Sequence, residues 1–398
     1  MCPLWFEDKL TTKVTKDDTK VHKGKNQYMN NKVAVRKCSE YNLNEVYDQI
    51  SDIWQKCEGP DVSGKKVLLK PNILIDSDPV KAICTHPVIV EAAIRFLQSM
   101  GAIVLVGDSP GAMARGYKGE KSGIFQVCQR TGAEWVDFAK EPTEINLRKG
   151  KIKITSVINK VDLIVSLPKF KNHGLVFFTG AIKNTLGLVP GFTKAKQHAL
   201  HSDRISFSEF LVDLNEAITP QFFIMDGIVG MEGPGPGQGT PVKIGLLFGS
   251  SNPLALDIVA SKIAGYNPND IPTNAVALSR GFWMKSAGEI NYDGPELDSL
   301  IRNDFKRISP DGSENVVVRF LKNRMHFLKK MERRPVFIHK NCTGCLDCIK
   351  ICPANAIAMH PKKDNYVVLT DTKCIRCFCC SEVCQSKAVE IRRKFFGA

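Results

Sequence analysis

Short apolar runs alternate with amphipathic stretches along residues 29–315, and the period of the apolar positions switches between that of a strand and that of a helix. The runs that predict buried strands cover residues 33–35, 66–69, 103–106, 162–167, 222–225 and 244–248. The stretches that predict helices cover residues 43–57, 86–100, 123–130 and 253–264. Thr85 is the expected N-cap of the helix over 86–100, and Gly101 is its expected stop. This alternation indicates an α/β domain with a mostly parallel sheet.

Polar or glycine-bearing turns follow four of the predicted strands. They read Lys70-Pro71-Asn72, Gly107-Asp108, Pro168-Lys169 and Asp226-Gly227. In open α/β sheets the ligand crevice lies beyond the carboxyl ends of the strands. We therefore expect these turns to line one site, in which Lys70 and Asn72 contact a ligand.

Lysines and glycines are concentrated between residues 166 and 198. The polar residues of this stretch include Lys169, Lys171, His173, Lys183, Asn184, Lys194, Lys196 and His198, and glycines stand at 174, 180, 187 and 191. Cations beside glycines suit the close approach of a carboxylate or phosphate, so Lys171 and Asn184 are predicted to bind a small anionic ligand. A buried lysine with a lowered pKa can act as a base or Schiff-base nucleophile, which makes Lys183 a catalytic candidate. The alternative is a solvated, flexible loop.

Three further residues are candidates for proton transfer. His173 is a candidate acid, base or metal ligand, with a hydrogen-bonded structural histidine as the alternative, and the same choice holds for His86. Glu232 is the carboxylate of the glycine- and proline-rich loop over 231–239. The backbone N–H groups of this loop can face a ligand. The alternative is a plain surface turn. A metal site formed by these histidines with Asp108 and Asp226 is a further alternative. The four residues do not show the close spacing along the chain that is typical of metal ligands.

Two residues are given structural interpretations. Asp257 fits a role at a helix start at least as well as a catalytic one. Cys84 is interpreted as a buried thiol, because no neighbouring residue activates it.

Eight cysteines near the C-terminus fall into two runs with the same spacing. Cys342, Cys345, Cys348 and Cys352 form C-x-x-C-x-x-C-x-x-x-C, and Cys374, Cys377, Cys380 and Cys384 repeat it 32 residues later. This spacing is the known signature of bacterial ferredoxins. It predicts two 4Fe–4S clusters, whose chemistry is one-electron transfer.

The spacing also predicts which cysteines share a cluster. The first three cysteines of a run bind one cluster, and the fourth binds the other. Cluster one is therefore expected to use Cys342, Cys345, Cys348 and Cys384, and cluster two Cys374, Cys377, Cys380 and Cys352. Cys379 is interpreted as a packing residue, because counting it as a ligand breaks the repeat. Structural zinc prefers two C-x-x-C pairs, and disulfides need an oxidising compartment.

The bulk composition limits the class of protein. A chain of 398 residues exceeds one ordinary core, and 43% hydrophobic with 24% charged residues is typical of a soluble protein. No apolar run approaches the roughly 18 residues of a membrane span. Residues 1–25 contain no apolar segment typical of a signal peptide. The sequence therefore predicts a cytoplasmic protein whose cysteines are reduced or bound to iron.

The net charge of +14 is densest over residues 316–334. Apolar residues recur among the bases there at helical spacing, which predicts a basic amphipathic linker helix packed on its own domain. No nucleic-acid-binding signature accompanies the charge, so nucleic acid is not an expected partner. The favoured functional use of the charge is to attract an acidic redox partner, because complementary charge speeds transient encounters. The alternative is a solvated helix face.

The predicted organisation has four parts. Residues 1–28 form a polar, disordered tail, residues 29–315 the α/β domain, residues 316–334 the linker helix, and residues 335–398 a small α+β ferredoxin-type domain. The last part is an internal repeat in which each half pairs a cysteine loop with a short helix and strand.

An ordered series of short motifs resembles the family called domain of unknown function 362. The series runs Lys70-Pro71-Asn72, Thr85-His86-Pro87, 107–111 (GDSPG), 168–173 (PKFKNH), 180–184 (GAIKN), Asp226-Gly227, 231–236 (MEGPGP) and Leu256-Asp257. The resemblance covers residues 31–295, and many members of this family carry the same C-terminal ferredoxin domain. It implies an α/β domain and iron–sulfur binding, without a settled reaction.

Three functions fit these features. The preferred one is an oxidoreductase whose clusters relay electrons to or from an anionic ligand in the α/β domain, with His173 or Glu232 moving protons. The second is an electron-transfer or cluster-carrying protein without chemistry of its own, whose α/β domain docks a partner. The third is a non-redox enzyme that keeps the clusters as structural or sensing elements.

Overall fold

The computed structural model describes residues 29–110, 118–201, 203–308, 333–361, 363 and 366–393, and ten of its strands form one mixed sheet. The strands up to residue 308 are β1 (Lys32–Lys37), β2 (Lys66–Pro71), β3 (Ile103–Val106), β4 (Glu134–Trp135), β5 (Pro142–Asn146), β6 (Lys151–Thr155), β7 (Leu163–Leu167), β8 (Lys169–His173), β9 (Phe177–Thr179), β10 (Phe222–Glu232), β11 (Thr240–Ser250) and β12 (Asn291–Asp293). The α-helices are α1 (Leu43–Lys56), α2 (Pro87–Ser99), α3 (Ile124–Thr131), α4 (Ala181–Asn184), α5 (Gly191–Leu200), α6 (Arg204–Ile218), α7 (Pro253–Ile263) and α8 (Pro272–Arg280).

The sheet is mostly parallel, as the alternation of strands and helices predicted. Its order is β12-β1-β11-β10-β7-β2-β3-β4, and β8 pairs with β10 and carries β9. The strands from β10 to β4 run parallel to their neighbours, whereas β11 is antiparallel to both β1 and β10. Strands β5 and β6 form a separate hairpin.

Both faces of the sheet are covered by helices. Along β2, Leu68 belongs to one hydrophobic core, while Val67 and Leu69 belong to the other, because successive strand residues point to opposite faces. Helices α1, α2 and α3 pack on the face of Val67, and α6, α7 and α8 pack on the face of Leu68. The result is a three-layer α/β/α domain.

Two local predictions about elements are wrong. The N-cap of α2 is His86, whose Nδ1 accepts the N–H of Val88, and not Thr85. The Thr85 hydroxyl instead donates to the carbonyl of Leu167 at 2.6 Å, which ties the helix start to β7. Strand β10 does not end near residue 226. It continues through a bulge to Glu232, because β11 pairs with it along its whole length.

The cluster domain contains β13 (Arg333–Phe337), α9 (Asp347–Ile351), β14 (Ile357–Met359), β15 (Val367–Leu369), α10 (Cys379–Val383) and β16 (Val389–Arg393). Strand β13 pairs with β16, and β14 pairs with β15. The two halves also repeat their backbone conformation. Positive φ angles recur 32 residues apart in the pairs Gly344 and Arg376, Leu346 and Phe378, and Asn355 and Lys387.

The predicted tail over 1–28 lies outside the described residues. So does the predicted basic helix over 316–334, except for its last two positions. Arg333 and Arg334 begin β13 and do not end a helix, because their backbone pairs with β16. In the part of the chain that the structure describes, no helix has the length and apolar character needed to cross a membrane.

Candidate functional site

A cavity of about 50 Å³ lies where the carboxyl ends of the α/β strands meet the short helix α10 of the cluster domain. Its polar lining residues are Lys70, Asn72, Asp108, Lys171, Thr179, Lys183, Asn184, Lys194, His198, Cys379 and Glu382. All four residues predicted to hold an anionic ligand are in this set, and Lys183 is with them. The predicted catalytic residues His173 and Glu232 do not line the cavity.

Lys70 at the end of β2 uses all of its hydrogen-bonding capacity inside the protein. Its ammonium lies 3.0 Å from Asp108 Oδ1, 3.0 Å from the carbonyl of Pro71 and 3.3 Å from Asn184 Oδ1. An ammonium has three hydrogens to donate, so these three acceptors satisfy it. A Cβ at Gly187 would come within 1.9 Å of Asp108 Oδ1, which explains the glycine there. Lys70 therefore shapes the wall of the cavity and has no N–H left for a ligand.

Two amides fix one another beside this lysine. Asn184 Nδ2 donates to Ser166 Oγ at 2.9 Å, so Asn184 Oδ1 is left to accept from Asn72 Nδ2 at 2.9 Å. This chain of donors and acceptors orients the Asn72 amide. Asn72 Oδ1 is buried and has no hydrogen-bond partner among the described residues.

Three other lysines face the cavity with little to neutralise them. Lys171 Nζ donates to the carbonyl of Ile83 at 2.6 Å, and Lys194 Nζ donates to the carbonyl of Ser109. Burial lowers the pKa of Lys171 to about 7 and that of Lys194 to about 8, and burial also lowers the pKa of Lys183. Lys171 is buried, and Lys183 and Lys194 are half-buried. A site that holds cations in this way favours an anion, because the anion supplies the missing counter-charge.

Glu382 extends from α10 into the lysine cluster and connects the two domains. Its Oε1 lies 3.2 Å from Nε2 of His173. Nδ1 of His173 accepts the N–H groups of Leu175 and Val176, so the neutral ring carries its hydrogen on Nε2. Burial lowers the pKa of His173 to about 4. Burial also opposes ionisation of Glu382, yet His173 and the neighbouring cations hold its pKa below the usual range. Nε2 of His173 has no partner with hydrogen-bond geometry among the described residues, so His173 lies beside Glu382 as a close polar contact and does not line the cavity.

Glu232 and the loop after it serve other contacts. Glu232 accepts the N–H of Lys306 at 2.9 Å and lies 3.3 Å from the Lys306 ammonium, outside the cavity. The following loop packs against the cluster domain: Gln238 Nε2 donates to the carbonyls of Ser381 and Val389. A Cβ at Gly237 would lie 2.0 Å from the carbonyl oxygen of Glu382. Here the glycine permits close approach between domains.

Asp257 positions the helix that carries Lys183 and Asn184. Its carboxylate accepts the N–H of Ala181 at 2.6 Å and that of Ile182 at 3.1 Å, at the start of α4. Burial raises the pKa of Asp257 to about 7. The expected helix-start role is therefore found, but on α4 and not on its own helix α7, which Asn252 caps.

The other two strand-end turns form a separate buried network. Lys169 Nζ lies 2.6 Å from Asp226 Oδ2 and 3.0 Å from the hydroxyl of Tyr41, which in turn donates to Asp226 Oδ1. The backbone N–H of His86 donates to the same carboxylate. Across the described ranges, no three His, Cys, Asp or Glu side chains form a site for a single metal ion.

The site contains residues for which no role was predicted from the sequence, although Lys194 and His198 belong to its lysine-rich stretch. Glu382 lies inside the second cysteine run, which drew attention to the cysteines alone. Lys194 and His198 lie four residues apart on α5, the spacing that puts two side chains on one helix face, and this was the available signal. Thr179 at the end of β9 carried no signal of its own.

Cysteines of both runs share the small hydrophobic core of the cluster domain. Cys380 and Cys384 of the second run are buried in it, and Cys342, Cys348 and Cys352 of the first run pack against it. The structure therefore brings the two runs together, and the division of the cysteines between two clusters stays a prediction.

Backbone N–H groups also face two of these sulfurs. Ala356 donates to Cys352 Sγ and Ala388 donates to Cys384 Sγ, each at 3.2 Å. Hydrogen bonds of this kind tune cluster potentials, and the same contact recurs in both halves of the repeat. The cysteine loops therefore fit iron–sulfur clusters.

Two family models match the chain. The model described as domain of unknown function (DUF362) matches residues 67–262, and the model of a 4Fe-4S dicluster domain matches residues 341–388. The first range contains every cavity residue of the α/β domain, and the second contains Cys379 and Glu382.

A curated relative and two solved structures resemble the chain. A thylakoid-associated protein of Synechocystis sp. is 32% identical over 282 residues, which are 66% of this chain and 86% of the relative. The lactate racemase apoprotein of Thermoanaerobacterium thermosaccharolyticum aligns at 14% identity and a TM-score of 0.37, over 56% of this chain and 54% of its own. A Thermotoga maritima protein aligns at 11% identity and a TM-score of 0.35, over 52% and 55%. The chain thus spans about half the length of each solved structure.

Proposed function

The chain belongs to the DUF362 family and ends in a 4Fe-4S dicluster domain, and from this premise we propose that it is an oxidoreductase acting on a small anionic substrate or cofactor. The ligand occupies the cavity between the two domains. Iron–sulfur clusters supply single electrons when bound.

One observation carries this proposal: the same cavity has lysines on one wall and cluster-domain residues on the other. Lys171, Lys183 and Lys194 belong to the α/β domain, whereas Cys379 and Glu382 belong to the cysteine run. Cys379 is adjacent in sequence to Cys380, and Glu382 stands between Cys380 and Cys384. An anion held by the lysines is therefore next to the segment that binds a cluster, which suits electron exchange between them.

The proposal assigns a role to each part of the wall. Lys171, Lys183 and Lys194 bind the anion, and Lys183 remains the candidate for acid–base or covalent chemistry, because no hydrogen bond within the described residues engages its ammonium. Asn184 and Lys70 hold the cavity in shape. His198, whose ring lines the cavity, takes the proton-transfer role first assigned to His173 and Glu232.

We further propose that the domain holds two 4Fe–4S clusters with the ligand sets that the spacing assigns. Cys345 is exposed, whereas Cys379 is buried against the α/β domain and Cys380 is buried in the core of the cluster domain. The first cysteine loop then receives a redox partner, and exposed Lys340 and Lys350 beside it favour an acidic one. The buried thiols Cys38, Cys57, Cys84 and Cys128 are unpaired, which is consistent with a reducing compartment such as the cytoplasm.

Anaerobic reoxidation of the reduced protein tests the enzyme assignment. Cluster-loaded protein is reduced with dithionite, desalted and mixed with a panel of small carboxylates and phosphate compounds, and the clusters are followed by electron paramagnetic resonance. At least one compound is expected to reoxidise the clusters, and Lys183→Met is expected to slow this step about 100-fold. Lys149→Met replaces a lysine that is 79% exposed and serves as the matched control.

The electron-carrier alternative gives the opposite result. If no compound is reduced, and both variants pass electrons to a ferredoxin-type acceptor as fast as the unaltered protein, the chain is a carrier and the enzyme assignment is wrong.

A further inference from the structure

The cavity holds more hydrogen-bond donors than the protein itself uses. Lys171 and Lys194 each donate one hydrogen bond to a carbonyl, which leaves two N–H groups on each ammonium. Lys183 donates none within the described part of the chain. The only carboxylates among the lining residues are Asp108, which lies against Lys70, and Glu382. Anionic oxygens are the acceptors that match this set of donors.

The same cavity also contains an acceptor in need of a donor. Asn72 Oδ1 has no partner within the described ranges, and the Asn72 amide cannot be flipped, because its Nδ2 donates to Asn184 Oδ1. Thr179 Oγ1 and His198 Nδ1 are likewise buried and unpartnered among the described residues. Buried polar atoms are rarely left unpaired, because each unpaired atom destabilises the folded protein. A ligand that carries an O–H as well as anionic oxygens satisfies Asn72, whereas a ligand of oxygens alone does not.

Size restricts the ligand further. The cavity measures about 50 Å³, and one water molecule requires roughly 10–15 Å³ on this measure. The cavity therefore has room for roughly three to five non-hydrogen atoms. That is the size of hydrogenphosphate or of a two-carbon hydroxycarboxylate.

We infer that the cavity selects a small oxyanion that retains one O–H, with Lys171, Lys183 and Lys194 binding its anionic oxygens and Asn72 Oδ1 accepting its hydroxyl hydrogen. This inference rests on the proposed function for the location of the ligand. The inference goes beyond the proposed function because it names the chemical class of the ligand and the residue that recognises the hydroxyl group of that ligand.

Two matched pairs of anions test the inference by calorimetry on the oxidised, cluster-loaded protein. Hydrogenphosphate and sulfate share charge and shape and differ by one O–H, and glycolate and acetate differ by one hydroxyl group. We expect hydrogenphosphate to bind at least about 10-fold more tightly than sulfate, and glycolate more tightly than acetate, because an unpaired buried acceptor disfavours the second member of each pair.

Variants separate charge from hydroxyl recognition. Lys183→Met is expected to weaken all four anions about 10-fold or more, while Lys149→Met leaves them unchanged. Asn72→Ala is expected to remove the preference within each pair and to keep sulfate binding. Thr179→Val is nearly isosteric and removes a cavity hydroxyl that bonds to no described residue, so it is the control for a folding defect, and it is expected to keep the preference within each pair.

The outcomes distinguish this inference from the proposed function. Equal binding of the two members of each pair overturns hydroxyl selection and leaves an anion site in place. Absence of binding by all four anions overturns the small-oxyanion class, even if the reoxidation experiment finds another electron acceptor. Tight hydrogenphosphate binding without reoxidation by any compound supports the ligand class and contradicts the enzyme assignment.

Discussion

Strand β8 carries two fully buried lysines two residues apart, Lys169 and Lys171, and their surroundings are opposite. Lys169 is held by Asp226 and Tyr41, and the Asp226 carboxylate also accepts the N–H groups of His86 and Ile228. Lys171 donates to one carbonyl and has other lysines nearby. Burial alone therefore does not mark a ligand site. What distinguishes the two lysines is whether the protein itself supplies the counter-charge.

Removing the counter-charge of Lys169 is the most direct test of this contrast between the two lysines. Asp226→Ala leaves a buried ammonium unpaired and is expected to lower the free energy of unfolding by about 3–5 kcal/mol. Urea denaturation of the cluster-loaded protein measures the loss. Asp304→Ala removes the partner of Arg302 in an exposed pair and is expected to lower the free energy of unfolding far less than Asp226→Ala. Similar losses in the two variants would mean that the Asp226 network is not a structural unit.

The pH dependence of the free energy of unfolding tests the same contrast at Lys171. Burial lowers the pKa of Lys171 to about 7, below its ordinary value of 10.5. Between these two pH values the unfolded chain binds more protons at this position, so the penalty that Lys171 imposes on the folded state falls as pH rises. Lys171→Met is therefore expected to stabilise the protein most below pH 7, by up to a few kcal/mol, and to lose this advantage by about pH 10.

Unfolding of the wild type and the Lys171→Met variant across this pH range, in buffers free of phosphate and carboxylates, measures the difference. A constant difference between the two proteins would show that Lys171 does not titrate on folding.

The smallest expected effect on stability belongs to Lys183. Lys183→Met removes a half-buried cation that has no ion-pair partner among the described residues, so the free energy of unfolding is expected to stay within about 1 kcal/mol or to rise. Thermal unfolding gives the comparison, with Lys149→Met as the exposed control. A loss as large as that of Asp226→Ala would give Lys183 a structural role and remove the contrast between the two regions.

Most of the α/β fold could be predicted from the sequence, because strand and helix periods are local properties. The boundary of α2 and the length of β10 could not be, because they depend on partners distant in sequence. Thr85 bonds to Leu167, and β10 is extended by β11. Tertiary contacts of this kind override local preference.

Part of the candidate site could also be predicted from the sequence. Lys70, Asn72, Lys171, Lys183 and Asn184 stand near strand ends, and the rule for parallel sheets brings strand ends together. The rule does not say which lysines are already neutralised. Lys70 meets Asp108, which leaves it unavailable, whereas Lys183 meets no carboxylate within hydrogen-bonding distance among the described residues.

The sequence by itself determined the two cysteine runs, their 32-residue repeat and the set of lysines, because ligand spacing and composition are written along the chain. Only the tertiary structure decided where the two meet. It inserts Glu382 of the second run among the lysines, beside His173. It also leaves Asn72 Oδ1 without a hydrogen-bond partner among the described residues and places Gly237 against the carbonyl of Glu382 in the cluster domain. These outcomes depend on which charges and hydrogen bonds are satisfied in three dimensions, and residues far apart in the chain decide that.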